Sequence, residues 1–423
     1  MGYRTKEFLK YAILIIAISF CNCKNNKPKS NVQEKNKIQE PSISFKADYD
    51  FLREHTDIIL LEDFQSDGKV AISAALQGRV MTTTANGWHG KSYGWINKKH
   101  FISGDTLDHI NIYGGEERLW LGPEGGQYSI FFKKGTEFTL DNWFTPKLID
   151  LEPFNLVDQT ASYALFSKTA SLTNYSNFTF DFNIERAISI INKDEIKNIL
   201  GIEIPKNLST VGYKTKNILK NIGDKAWKKE TGLLSIWLLG MLKHSPTTTV
   251  IIPYISGEKS KFGPIVNDDY FGKVPSDRIK VDEKAIYFKA DGQQRGKIGV
   301  SPQRATDVMG SYDDEAGTLT IVKYNKPENE NDYVNSKWEI QQEPYKGDVV
   351  NSYNDGPPEP GVVPLGPFYE LETSSPAAAL NIGNTISHEQ YTFHFEGEKT
   401  ELNIISMKIL GVSLEVIGQI FKK

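Results

Sequence analysis

The 423-residue chain reads as an all-β protein built of antiparallel sheets with few short helices. Three observations predict this class. Clusters of Gly, Asn, Asp and Pro recur between short runs of alternating apolar residues. Aromatic residues are abundant, as they are in strands. A convincing helical period is scarce, and the best candidate is Asn192 to Leu200, where Asn192 can cap and Glu195, three residues on, can complete a capping box. The strand candidates are Ile58 to Leu61, Val70 to Ala74, Gln127 to Phe132, Tyr163 to Thr169, Phe178 to Ile184, Thr249 to Tyr254, Ala285 to Lys289 and Thr318 to Tyr324. Their number and spacing fit either two sandwiches or one large one. No internal repeat of fixed period interrupts the series.

Residues 1–23 read as a targeting segment. Arg4, Lys6 and Lys10 form a basic start, and Tyr11 to Phe20 is an apolar run too short to span a bilayer as a helix. Only two cysteines occur, Cys21 and Cys23, and a pair separated by one residue cannot staple a domain. The pattern resembles a bacterial lipoprotein signal, in which Cys23, or else Cys21, becomes the lipidated N-terminus. An ordinary cleaved signal is the alternative. Residues 24–45, rich in Lys, Asn, Gln and Pro, read as a flexible tether. The expected location is therefore the bacterial cell envelope, lipid-anchored, facing the periplasm or exposed on the outer membrane.

Residues 46–423 form the expected β-domain. Its parent chain carries a net charge of -4, with no basic block after the tether, so nucleic acid is not an expected partner. There is no phosphate-binding glycine loop and no Gly-x-Ser-x-Gly elbow. The histidines show no paired zinc spacing and no EF-hand loop is present, so neither a metal nor a cofactor is expected.

Several loops carry candidate binding groups. Asn86 to Gly90 sets Trp88 and His89 between glycines, where a Trp face suits the CH face of a sugar ring. The plainer reading has Trp88 capping the core and His89 in solvent. Tyr113 to Gln127 places Tyr113, Glu117, Arg118, Trp120 and Glu124 between two glycine pairs. Arg118 offers a planar donor fork, although Glu117 and Arg118 also read as a simple surface ion pair. Asn354 and Asp355 precede Gly-Pro-Pro in a turn-rich stretch upstream of the last strands, within reach of the same cleft or simply forming a turn.

The strand Phe368 to Thr373 directs Glu370 and Glu372 to one face, two residues apart. Pro376 ends it or sets it at an edge, and His388 to Phe395 forms a further strand. A carboxylate on a sheet face can accept from sugar hydroxyls or take a hydroxyl proton.

Leu371-Glu372-Thr373-Ser374-Ser375-Pro376 resembles the Leu-Glu-Thr-Gln-x-x-Pro signature of the aldose 1-epimerase (galactose mutarotase-like) superfamily. Ile382-Gly383-Asn384 and Tyr391 to Phe395 stand where that family has its Pro-Gly-Glu turn and Thr-x-Tyr-x-Phe strand, and Asn221 to Asp224 resembles its Asn-x-Gly-Asp. The resemblance implies a β-supersandwich, a carbohydrate ligand and Glu372 as general base. Tyr113 stands where the family has a sugar-holding His beside two glycines. The family's acid, a His in Thr-Asn-His-x-Tyr-Phe-Asn, has no counterpart in Thr231 to Met241. Ring opening needs a proton donor as well as a base. His388 is the candidate for a relocated acid, with a rim-exposed histidine as the alternative. The expectation is a carbohydrate-active lipoprotein, an isomerase or other enzyme. The alternative is a non-catalytic sugar-binding module.

Overall fold

The computed structural model describes residues 44–359 and 361–422. The targeting segment, both cysteines and the tether up to residue 43 lie outside them. Ser44 and Phe45, expected in the tether, already belong to the fold: Ser44 caps the helix Phe45–His55, and Phe45 is fully buried.

Eighteen strands form three antiparallel sheets among the described residues. A small sheet runs in chain order through β1 (Ile58–Glu62), β2 (Lys69–Ser73) and β3 (Arg79–Thr84). A five-stranded sheet comprises β4 (Arg118–Gly122), β9 (Ser235–Lys243), β13 (Gly296–Val300), β16 (Val350–Asn354) and β17 (Phe368–Ser374), in the order β13-β16-β17-β9-β4. The ten-stranded sheet contains β5 (Asn155–Gln159), β6 (Tyr163–Thr173), β7 (Thr179–Ile191), β8 (Ser209–Asn221), β10 (Thr248–Pro253), β11 (Ile279–Val281), β12 (Ala285–Lys289), β14 (Val308–Asp313), β15 (Thr318–Tyr324) and β18 (Thr385–Glu396). The all-β class and the large sandwich expected from the sequence agree with this architecture.

Side-chain alternation explains the stacking. Along β7, β8 and β18, buried and less buried positions alternate over most of the strand, so one face of the ten-stranded sheet looks inward. In β9 and β17 nearly every residue is buried, because both faces of the five-stranded sheet are covered. Its inner face meets the large sheet: Thr373 Oγ1 on β17 lies 2.7 Å from His388 Nε2 on β18. Its outer face carries the cleft described below.

The expected helix appears as Lys193–Leu200. Asn192 Oδ1 accepts from the Glu195 N–H, Glu195 Oε2 accepts from the Asn192 N–H, both at 2.9 Å, and Gly201 closes the helix at φ 66°. Two C-terminal helices, Lys399–Ile409 and Leu414–Gln419, were not anticipated. They lay Leu402, Ile405, Leu414 and Ile417 over Leu319, Ile321, Phe393 and Phe395, sealing part of the outer face of the large sheet. Gln127 to Phe132, expected as a strand, is a run of turns; Phe131 tucks between Trp120 and Trp143 instead. No described helix is long and apolar enough to cross a membrane.

Candidate functional site

Register decides which side chains meet. Across the five-stranded sheet Lys297 pairs with Tyr353, Tyr353 with Glu370, Asn351 with Glu372, Glu372 with Leu239, Leu239 with Arg118, and Trp237 with both Ser374 and Trp120. Residues directly opposite share a face. One outer face therefore presents Lys297, Asn351, Tyr353, Glu370, Glu372, Trp237, Arg118 and Trp120. Loops around residues 267–271, 334–348 and 355–365 rise about this floor and enclose a cleft of about 960 Å³. That size is at the upper end of the ~300–1,000 Å³ typical of small-molecule sites.

Glu372 lies at the centre, fully buried just beneath the lining. Its Oε2 accepts from Trp237 Nε1 and from Lys297 Nζ, each at 2.9 Å. Its Oε1 is buried without a hydrogen-bond partner. A buried carboxylate oxygen left unpaired is costly, so it is a natural acceptor for a ligand hydroxyl. The Lys297 ammonium sits 4.9 Å over the Trp237 ring and 5.7 Å from the Tyr270 ring. Burial pulls its pKa down, but Glu372 and Glu124 outweigh this and hold it above the usual lysine range. Lys297 is therefore a fixed cation.

Two more carboxyls flank this centre. Glu370 Oε1 accepts from Arg118 Nη2 at 2.5 Å, and Arg118 in turn stacks 4.9 Å over Trp120. Burial pushes the Glu370 carboxyl up to about 7 despite Arg118, with Glu372 adding to the rise. Glu124, half-buried in the wall, accepts from Trp338 Nε1 at 3.3 Å, and burial holds its carboxyl up as well. Further round, Asp348 accepts from Asn267 Nδ2 at 2.8 Å and from the Tyr270 hydroxyl, while Tyr353 OH donates to Asp355 at 2.7 Å. Trp143 and Trp338, with ring centroids 6.0 Å apart, form the apolar wall.

The residues singled out from sequence divide sharply. Glu124 and Asp355 line the cleft, whereas Arg118, Trp120 and Glu372 share the sheet face beneath it without lining it. The expectation that Glu117 joins Arg118 there is corrected. Consecutive strand residues point to opposite faces, and Glu117 is buried between the sheets, 2.9 Å from Arg186. His388 is corrected likewise: it is neither in the cleft nor at the rim but fully buried on the inner face of β18. Burial lowers its pKa to about 3, which keeps the ring neutral. Trp88 packs on Phe45 and Tyr49 of the N-terminal helix, at 5.8 and 5.1 Å, with His89 exposed beside it. Tyr113 packs on His100 and Phe101. None of these three lines the cleft. Asn354, also buried, binds the Gly292 N–H and the Gln294 carbonyl, so it holds the turn leading into β13 rather than a ligand.

Sequence reasoning passed over Lys297, Trp237, Tyr270 and Arg295. Trp237 lies in the stretch that reads as merely apolar, yet it donates to Glu372. Lys297 sits in Gly-Lys-Ile-Gly-Val, which carries no motif, and only the β13–β16–β17 register brings it to Glu372. Among the described residues no group of His, Cys, Asp and Glu is placed to hold a metal ion.

A family model covers residues 43–421. The chain belongs to DUF6786, a family of unknown function. No curated protein matches the DUF6786 chain. Among solved structures it is similar to a candidate aldose 1-epimerase from Escherichia coli K12, at 10% identity and TM-score 0.46, over 80% of this chain and 98% of that one. It is also similar to a galactose mutarotase-like protein from Lactobacillus casei ATCC 334, at 10% identity and TM-score 0.43, over 80% and 99%. A third, a galactose mutarotase related enzyme from Lactobacillus acidophilus, has 9% identity and TM-score 0.42, over 81% and 98%. All three scores lie below 0.5.

Proposed function

We propose that this protein is a carbohydrate-active enzyme that moves a proton on a sugar bound in the outer-face cleft. The observation that carries the reading is the clustering of Glu372, Glu370, Glu124 and Lys297 beneath a wall of tryptophans. Aromatic plates suit the apolar faces of pyranose rings, and the amides of Asn267, Asn335 and Asn351 suit their hydroxyls. Burial raises the proton affinity of Glu370 and Glu124 at a cost in stability, and such groups gather where proton transfer is needed. In this reading the free Oε1 of Glu372 takes a hydroxyl proton. Glu124, which faces the cleft directly and stays protonated to higher pH, supplies one.

A second reading, a non-catalytic sugar-binding module, is favoured by the depth of Glu372 beneath the lining. Assays of wild type, Glu372→Gln and Glu124→Gln on a panel of free sugars and oligosaccharides separate the two. Each variant is expected to lose at least about a hundredfold in kcat/KM while still binding. Unchanged turnover by Glu372→Gln removes the base, and wild-type binding without turnover of any sugar selects the module.

We further propose lipid anchoring in the cell envelope, on the strength of the basic and apolar leader ending at Cys21 and Cys23. Metabolic labelling with a palmitate analogue is expected to disappear in Cys23→Ser and persist in Cys21→Ser. Label retained by the double variant removes the anchor.

A further inference from the structure

We infer that the cleft takes a sugar bearing an anionic substituent, a carboxylate or a sulfate, and that Arg295 receives it. The inference deepens the carbohydrate reading and rests on it. Arg295 lines the cleft two residues before Lys297. Its guanidinium lies 3.9 Å from the centre of the Phe271 ring, and Phe271 is itself 49% exposed at the mouth. Among the described residues the Arg295 side chain makes no hydrogen bond and no ion pair, and its Nε is buried without a partner.

The other arginines set deep in the fold differ. Terminal nitrogens of Arg79 and Arg304 donate to backbone carbonyls, and those of Arg118, Arg186 and Arg278 to carboxylates. The other cations of the cleft are engaged too. Lys297 pairs with Glu372, Lys346 with Glu343, and Lys337 lies 3.8 Å from Asp269. Asp355 feels the charge of Arg295, but its oxygens already accept from Tyr353 OH and the Gly366 N–H, both at 2.7 Å. An arginine held against an aromatic ring keeps its N–H donors for other partners, and its planar fork suits a two-point contact with a carboxylate or a sulfate.

The mounting is rigid. Asn354 binds the turn at Gly292 and Gln294, and a Cβ on Gly356 would lie only 2.5 Å from the Gln294 nitrogen, so the two backbones are pressed together. A cation held ready and unpaired in a binding cleft is preorganised for a ligand anion.

The test is a glycan array with matched neutral, uronate and sulfated oligosaccharides, probed with the full chain as wild type, Arg295→Ala and Arg295→Lys, and followed by titration calorimetry on the hits. Wild type is expected to bind an acidic glycan at least tenfold more tightly than its neutral counterpart, and the arm that responds identifies carboxylate or sulfate. Arg295→Ala should abolish the preference, and Arg295→Lys should keep part of it. Equal wild-type affinity for acidic and neutral members overturns the inference alone, as does a preference that survives Arg295→Ala. Failure to bind any glycan overturns the carbohydrate reading and this inference together. Melting temperatures of the variants, expected to stay close to wild type because among the described residues Arg295 makes no hydrogen bond and only stacks on Phe271, separate lost contact from lost fold.

Discussion

Replacing Arg186 by methionine is expected to cost about 3–5 kcal/mol of stability at neutral pH, the range found when one member of a buried ion pair is removed. Arg186 is fully buried on β7, and its three donor groups each have a target. Nε donates to the Gly78 carbonyl at 2.9 Å, Nη1 to Asn217 Oδ1 at 2.6 Å, and Nη2 to Glu117 Oε1 at 2.9 Å. One side chain thus ties the turn before β3, the strand β8 and the segment entering β4. Glu117, also fully buried, keeps Gln390 Nε2, at 2.8 Å, and the Thr215 hydroxyl as donors once Arg186 is gone. Burial already holds the Glu117 carboxyl above the usual range, with Arg186 the main opposing influence. The variant should therefore recover part of its loss as the pH falls and Glu117 takes up a proton. Urea melts at pH 7 and pH 5 check this, with Glu117→Gln and the double variant completing the cycle. A single variant within about 1 kcal/mol of wild type, or no rescue in the double, would show that the pair is not what holds the layers.

Acid sensitivity through His388 is the second large effect. The ring is fully buried on the inner face, its Nε2 beside Thr373 Oγ1 and its Nδ1 without a partner, with the Tyr324 ring 6.1 Å away. Burial lowers its pKa to about 3, while the nearby Glu389 opposes only in part. The unfolded chain binds this proton below about pH 6.5 and the folded chain does not, so the unfolded state gains as the pH falls. The loss begins near pH 6.5, reaches about 3 kcal/mol by pH 4 and levels off near pH 3 at about 5 kcal/mol. Buried carboxyls with raised proton affinity, such as Glu117 and Asp348, act in the opposite sense. They are common to wild type and His388→Gln, so the difference between the two stability curves isolates the histidine. Wild type should fall more steeply than His388→Gln between pH 6.5 and pH 4. Parallel curves would remove the assignment.

Much of the scaffold was legible from local pattern. The runs Ala285 to Lys289 and Thr318 to Tyr324 are strands with the bounds that alternation predicts, and Asn192 with Glu195 forms the capping box. Alternation also set Glu370 and Glu372 on one face, where they are found. The same parity separates Glu117 from Arg118, but the glycine pairs around them read as a loop, in which parity has no meaning. The helix Lys399–Ile409 was hidden because its buried positions, Leu402, Ile405 and Ser406, form a narrow stripe interrupted by a serine. The centre of the site was the least accessible part. Lys297 reaches Glu372 only through two inter-strand registers, and no local pattern records which strands become neighbours.

The alternation that separates cleft from interior along β9, β16 and β17 has a practical meaning for re-engineering. Asn351, Tyr353 and Ser374 can be varied as one combinatorial set to retune ligand choice, while Leu371 and Thr373 between them hold β17 against the large sheet and Ser352 bonds β16 to the Glu370 carbonyl of β17. Selectivity and cohesion are written in interleaved letters on the same two strands.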